Sequence, residues 1–408
     1  MGFRTKTRGR LLGAAFLMTV ITACGGGGDG GGSDGGPSAP PPPSAPPAPS
    51  LLKFGVHPSA AVVIGQSDFY QGAEGQGEPE KLNQPAGAPG ITSDGRLVVA
   101  DRGHNQLKVF NDYASANGPT PDASMTTPFP SGVAAGGGKL VVLDIERSVS
   151  IYSAAPTPLD PDPEPEVYGT GVADCNDTDM ISPRAASITP KGHLIVADTG
   201  GSRVLIWNTI PAAGPLGPAH VVVGQKVKGT CAANDHDGDG TSETGPNGAT
   251  LDDPSGVWSD GNRLIVADES NHRVLIWKNM PTTDFQSADF VLGQRNKTDF
   301  ARNAGQPSAS SDSLDSPNAV DVSETGQLAV ADHGNHRVLI WNTIPQQDAQ
   351  PADQVIGQSD FVQSGPNGRD GEVGPQTLRL PAGVRFHQRN LIVVDQGNNR
   401  VLVWKAVD

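Results

Sequence analysis

Two short runs of aliphatic and β-branched residues, divided by about four turn-forming residues, recur along the chain. The clearest copies are His193-Leu-Ile-Val-Ala-Asp198 with Arg203-Val-Leu-Ile-Trp207, Arg263-Leu-Ile-Val-Ala-Asp268 with Arg273-Val-Leu-Ile-Trp277, and Gln327-Leu-Ala-Val-Ala-Asp332 with Arg337-Val-Leu-Ile-Trp341. Asn390-Leu-Ile-Val-Val-Asp395 with Arg400-Val-Leu-Val-Trp404 is a fourth, and Arg96 to Phe110 and Lys139 to Tyr152 are weaker versions, which makes six. Each pair predicts a β-hairpin. The runs are apolar at successive positions, so both faces of each hairpin must be covered, and stacking of one unit on the next supplies that cover.

A Pro-led segment precedes every hairpin: Pro85, Pro130, Pro183, Pro254, Pro317 and Pro381 stand about fifteen residues ahead of Asp101, Asp144, Asp198, Asp268, Asp332 and Asp395. It reads as an inner strand. After most hairpins comes a further short run ending in Gly-Gln or a variant, at Val167 to Thr170, Val221 to Gln225, Phe290 to Gln294 and Gln354 to Gln358. Four strands per unit, repeated radially, make a β-propeller blade, and the expected fold is all-β with six such blades. The sixth unit ends at its third strand, whereas Val62-Val-Ile-Gly-Gln66-Ser-Asp-Phe69 near the front matches Val355-Ile-Gly-Gln358-Ser-Asp-Phe361. The N-terminal strand is therefore expected to complete the last blade and close the ring without exposed edges. An open solenoid is the alternative, but the repeats run from 43 to 70 residues, too irregular for uniform stacking. A seventh blade would need room between Phe110 and Pro130, which is too short.

The segments Ala267-Asp-Glu-Ser-Asn-His-Arg-Val274 and Ala331-Asp-His-Gly-Asn-His-Arg-Val338 resemble the NHL repeat, and the likeness extends over roughly residues 60–408. The resemblance implies a rigid scaffold. NHL proteins include protein- and RNA-binding modules, and related propellers include an amidating lyase and lactonases, so the fold leaves the function open.

Composition agrees with many short strands: Gly 52 and Pro 36 out of 408 residues, with aromatics at only 5%. The formal charge of −15 speaks against nucleic acid, whose binding needs a basic face. The first residues carry Arg4, Lys6, Arg8 and Arg10, then an apolar run from Leu11 to Val20, too short to span a bilayer as a helix. This is expected to be a signal peptide over residues 1–23. Ile21-Thr22-Ala23-Cys24 resembles a bacterial lipobox, which implies acylation of Cys24 and anchoring to a membrane; three acyl chains would make that anchor essentially permanent. Gly25 follows the Cys where the family uses Asp for inner-membrane retention, so the outer membrane is favoured if the cell has two. Residues 24–50 are Gly/Ser-rich and then Pro-rich, the composition of a tether, and leave residues 51–408 as the propeller.

Among polar residues, the Asp that ends the second strand and the Arg that begins the third recur, which argues for a structural role, and the same holds for His104, His272 and His336. Asp235-His-Asp237-Gly-Asp239-Gly240-Thr241-Ser-Glu243 does not recur. It resembles the Asp-x-Asp-x-Asp-Gly calcium loop, with Pro246 where an EF-hand has its bidentate Glu, so Glu243 is the substitute ligand and Ca2+ the expected cofactor; a merely solvated acidic loop is the alternative. Cys175 and Cys231 follow the outer-strand Gly169 and Gly224 at nearly equal spacing in adjacent units, and a disulfide between them is expected. Long connections at 171–182, 226–253, 295–316 and 359–380 should share one face of the ring. They carry Asp174, Asp177, Asp179, Asp252, Asp253, Asp299, Asp312, Asp315, Asp370 and Glu372, hence an expected acidic, loop-rich face. No catalytic elbow, zinc helix or phosphate loop is present in the sequence. The leading expectation is an envelope-anchored module binding a protein, peptide or glycan; the alternative is a metal-dependent lyase or lactonase with a divalent cation in the central channel.

Overall fold

In the computed structural model the described residues are 50–407, apart from 76, 116, 146–148, 159, 161, 170–174 and 177. The segments expected to be leader and tether, Cys24 among them, lie outside these residues, as do Asp174 and Asp177. Residues 49–408 form one compact unit. Among the described residues no helix is long and apolar enough to cross a membrane.

The unit is an all-β, six-bladed propeller. Blade one comprises Pro85–Ile91, Leu97–Asp101, Gln106–Phe110 and Ala123–Thr126; blade two comprises Pro130–Gly136, Lys139–Asp144, Val149–Tyr152 and Val167–Tyr168. Blade three is built from Pro183–Ile188, Leu194–Asp198, Arg203–Trp207 and Val221–Val223, and blade four from Pro254–Ser259, Leu264–Asp268, Arg273–Trp277 and Phe290–Leu292. Pro317–Val322, Leu328–Asp332, Arg337–Trp341 and Gln354–Ile356 form blade five. Blade six takes Pro381–His387, Asn390–Asp395 and Arg400–Lys405, and its outer strand is the N-terminal Val62–Ile64, with Val62 opposite Val403 and Ile64 opposite Val401. Each inner strand packs against the inner strands of both neighbouring blades, and that of blade six meets that of blade one, so the ring closes on its own termini.

Three details depart from the sequence reading. Outer strands stop before their Gly-Gln, because Gly65, Gly224, Gly293 and Gly357 all have positive φ and turn the chain out of the sheet. Blade one has an outer strand, Ala123–Thr126, that lacks the Gly-Gln ending and was not anticipated. Blade two gains a fifth, parallel strand from Gly214–Pro215, which pairs with Val167–Tyr168.

Packing follows from the period of two within each strand. In blade three, Leu194 and Val196 join a buried cluster with Val141 and Leu143 of blade two. Ile195 and Ala197 point the other way, into a cluster with Leu264, Val266 and Leu275 of blade four. Every middle strand therefore contributes to two cores, which explains its lack of polar alternation. Around the axis the backbones come so close that a side chain is excluded: a Cβ on Gly383 would stand 2.1 Å from the Gly87 carbonyl oxygen.

The recurring Asp and Arg are fully buried together. In blade five, Asp332 accepts the backbone N–H of Asp315 (2.7 Å), the Asn335 amide (2.8 Å) and Arg337 Nε (2.7 Å). The Arg337 fork then donates to the carbonyls of Ser310 and Ser313 in the connection entering the blade, and to Phe361 in the connection leaving it. Arg203, Arg273 and Arg400 do the same. Blade one has Gln106 at the Arg position, and Lys108, two residues on along the same strand face, supplies the cation at 2.8 Å from Asp101.

Truncating one member of a buried, fully bonded pair leaves an uncompensated charge, whereas an exposed pair contributes little. Arg337→Ala is expected to lower stability by about 3–5 kcal/mol in urea unfolding. Lys278→Ala, which removes a pair with Asp289 at 3.3 Å on the surface, is expected to change it by less than about 1 kcal/mol. Equal effects would show that the buried pair does not hold the blade.

Candidate functional site

The turns between second and third strands lie on the same face of the ring as the long connections. In blades one, three, five and six the turn is a single 3₁₀ turn ending in a left-handed residue, Asn105, Ser202, His336 or Asn399, and the turn of blade four ends likewise in left-handed His272. The residue just before each inner-strand Pro is also left-handed, as at Gln84, Phe129, Ser316 and Leu380, and its N–H needs an acceptor. The turn residue of the preceding blade provides it: His272 Nδ1 accepts from Ser316 (2.9 Å), His336 Nδ1 from Leu380 (3.0 Å), Asn399 Oδ1 from Gln84 (2.8 Å) and Asn105 Oδ1 from Phe129 (3.0 Å). The repeated imidazoles are thus blade-to-blade staples, and His104, whose Nδ1 lies 2.7 Å from Asp101, serves its own turn.

The long connections are held at their bases. Gln66, Gln225, Gln294 and Gln358, which follow the outer strands, each donate to the carbonyl of the left-handed turn residue and to a carbonyl seven residues farther along the connection. Asn271, Asn335 and Asn398 bond Asn234, Asn303 and Asn367 of the connections. These connection asparagines were not picked out from the sequence, since they lie at different distances from the repeat. Cys175 and Cys231 form the expected disulfide, with Cα atoms 5.9 Å apart, and join the connections that follow blades two and three. It closes a loop of 56 residues, a constraint of about 4 kcal/mol on the unfolded chain in the chain-entropy picture.

In the acidic loop, ligand oxygens of Asp235, Asp237 and Asp239 lie within 4.8 Å of one another. Asp235 is buried and accepts the N–H groups of Gly238 (2.6 Å) and Gly240 (3.0 Å). Thr241 donates its N–H and hydroxyl to Asp239. Glu243 stands apart from this group, accepting from the His236 backbone and facing its Nδ1 at 3.0 Å.

The expected acidic, loop-rich face is modified by the structure. Asp179 and Asp315 are buried, and Asp315 meets Arg302 Nε at 2.7 Å and His272 Nδ1 at 3.3 Å. Exposed Asp237, Asp239, Asp312, Asp370 and Glu372 alternate with exposed Lys226, Arg295, Arg302, Arg369 and Arg379, so the surface is of mixed charge. The cause is local: carboxylates that accept turn N–H groups or pair with cations do not project to solvent.

At the centre of this face the channel opens into a cavity of about 190 Å³. Its lining comes from two fixed places in the repeat. One is the residue after the inner-strand Pro, where the register slips by a residue in blades two to six. Such a bulge re-aims the extra side chain, here toward the axis, and it presents Ser131, Arg184, Ser255 and Asn318. The other is the residue after the conserved-in-repeat Asp, which presents Arg102, Glu269, His333 and Gln396. Several of these also latch neighbouring blades: Ser131 Oγ donates to the Pro183 carbonyl (2.6 Å), Ser255 Oγ to Pro317 (3.2 Å) and His333 Nδ1 to Pro381 (3.2 Å). Arg184 pairs with Glu269 at 3.1 Å, and Asn318 donates to the same carboxylate oxygen at 3.2 Å. Farther along the inner strands Arg385 bonds Asp321 (3.1 Å) and the Pro89 carbonyl (3.2 Å), and the space there shrinks to about 20 Å³. The channel mouth is therefore a cup with a floor. None of its charged residues was a candidate from the sequence, although variation at a fixed repeat position was the available signal.

Residues 314–341 match the NHL repeat family, and the chain folds as a six-bladed β-propeller. No curated protein matches the sequence. Among solved structures, the WD40 β-propeller domain of Doa1 is similar at 10% identity, covering 87% of this chain and 95% of that one, with a TM-score of 0.44. A catalytically inactive virginiamycin B lyase from Staphylococcus aureus with quinupristin is similar at 10% identity, covering 81% and 82%, with a TM-score of 0.40.

The His336 staple makes stability depend on pH. Burial, then the neighbouring His333 and Arg379, push its imidazole down to about 4 from an ordinary 6.5. The unfolded chain takes up the proton first as pH falls, so this staple contributes fully above about 6.5 and is lost progressively toward 4. His336→Asn, the residue that blade six has at Asn399, is expected to fold with similar stability at pH 7 and to lose less than the parent between pH 6.5 and 4.5 in urea titrations. An unchanged slope would remove His336 from the acid response.

Proposed function

We propose that the chain is an envelope-anchored binding module that holds a protein, peptide or glycan against the loop-rich face of the ring. The observation that carries this reading is a set of exposed apolar side chains on that face. Tyr70, Val227, Phe300 and Val362, with relative exposures of 70%, 48%, 43% and 57%, each stand a few residues past the Gln that follows an outer strand. Apolar anchors amid mixed charge, on connections fixed at their bases, are the kind of surface from which a few residues supply most of the binding energy.

Calcium supports one of these connections in this reading. Hard cations take oxygen ligands at about 2.3–2.6 Å, so oxygens on opposite sides of one ion stand just under 5 Å apart, and the Asp235, Asp237 and Asp239 group fits that span. Thr241 adjoins the group and Glu243 joins it only by giving up His236. The metal-dependent lyase or lactonase reading is less well supported: the channel mouth offers Glu269 and His333 beside the guanidinium groups of Arg102 and Arg184, which oppose a divalent cation.

Full-length protein used as bait on envelope extracts is expected to retain one reproducible ligand. Retention should fall on chelation of calcium and in Asp237→Ala and Asp239→Ala, both of which should also lose a calcium-induced rise in melting temperature. Recovery of no specific ligand with calcium present would overturn the binding reading, and unchanged melting on calcium addition would overturn the metal.

The anchor is the proposed lipidation of Cys24. Labelled palmitate should enter the parent protein and not Cys24→Ser, and the variant should leave the membrane fraction; labelling of both would place acylation elsewhere.

A further inference from the structure

The cup at the channel mouth has the opposite electrostatic character to the chain as a whole, whose formal charge is −15. Arg102 is half-buried there, and among the described residues its guanidinium has neither a carboxylate nor a hydrogen-bond acceptor. Burial, and then the positive charge of Arg184, push its basicity down. Arg184 lies across the cup, and its paired carboxylate is Glu269. Burial lowers the His333 imidazole, so it is neutral at pH 7. Two guanidinium groups against one carboxylate leave the lining with a single net positive charge.

The polar groups sort by role. His333 Nδ1 faces the Pro381 carbonyl, which can only accept, so the proton sits on Nδ1 and Nε2 is left as an acceptor. The Gln396 amide has no partner among the described residues and can donate or accept, as can the free end of Asn318. A volume of about 190 Å³ equals roughly six water molecules at their share of the liquid, which suits one small ring or a short chain.

We propose that the cup binds a small monoanionic hydroxycarboxylate, of which a sugar acid is the representative, with its carboxylate on Arg102 and Arg184 and its hydroxyls on His333 Nε2, Gln396 and Asn318. A planar carboxylate suits the fork geometry of the two guanidinium groups, and one negative charge neutralises the lining. A dianion would overshoot that balance and meet Glu269. The floor formed by the Asp321–Arg385 pair makes the site a terminal pocket that takes a single unit or the end of a chain. This inference stands apart from the ligand proposed for the surrounding loops, since it rests on the axis alone.

Calorimetric titration of the full-length protein with D-glucuronate, D-glucose, inorganic sulfate and calcium is the test. Glucuronate is expected to bind at least tenfold more tightly than glucose and more tightly than sulfate. Arg102→Gln is expected to weaken glucuronate at least tenfold with no loss of melting temperature, because Arg102 holds no partner among the described residues. Equal binding of glucose and glucuronate, tighter binding of sulfate, or an unchanged affinity in Arg102→Gln would each overturn the proposal. So would competition between calcium and glucuronate that survives in Asp237→Ala, since it would put a cation in the cup. Should Arg102→Gln fail to fold, Gln396→Ala, on the same cup, is expected to weaken glucuronate measurably, and no effect there would count equally against it.

Discussion

A guanidinium buried away from water must find acceptors for its N–H groups, and this ring supplies most of them with backbone that no single strand could offer. Arg203, Arg273, Arg337 and Arg400 each reach the Asp of their own hairpin, the connection entering the blade and the connection leaving it. The cost of burying the charge is offset only when all three are in place, so the contact is made in the assembled ring or not at all. Long connections that would otherwise wander are thereby fixed at both bases. The left-handed turn residues add the blade-to-blade staple, and for that reason the Asn-His of the repeat recurs without marking a metal site.

Fixing the repeat frees two positions within it. The residue after each inner-strand Pro, which forms a bulge in blades two to six, and the residue after each hairpin Asp make no contribution to the buried fork, yet side chains from both positions line the channel mouth. Ala86, Ser131, Arg184, Ser255, Asn318 and Ala382 occupy the first, and Arg102, Ile145, Thr199, Glu269, His333 and Gln396 the second. A rigid ring with a varied lining at its centre and varied loops at its rim has two places where chemistry can change without disturbing the fold.

Charge illustrates how far a count along the chain can mislead. The loops are rich in acids, but Asp179, Asp235 and Asp315 are buried against N–H groups or cations, and the face that remains is mixed. The axis, which no run of basic residues advertises, gathers Arg102 and Arg184 from blades one and three, 82 positions apart.

Legible in the residues alone were the six hairpins, the inner strands marked by Pro, the closure of blade six by Val62 to Ile64 and the pairing of Cys175 with Cys231. All of these follow from local pattern or from equivalence between repeats, since a position that recurs in sequence recurs in space. The structural role of the recurring Asp and Arg was legible for the same reason. The fates of individual acids, the Asn partners at 234, 303 and 367, the substitution of Lys108 for the missing Arg of blade one, and the cationic cup were decided by the tertiary structure. Each depends on which side chain the twist of a blade or the slip of a bulge turns toward a neighbour far away in the chain, and no spacing within one repeat encodes that direction.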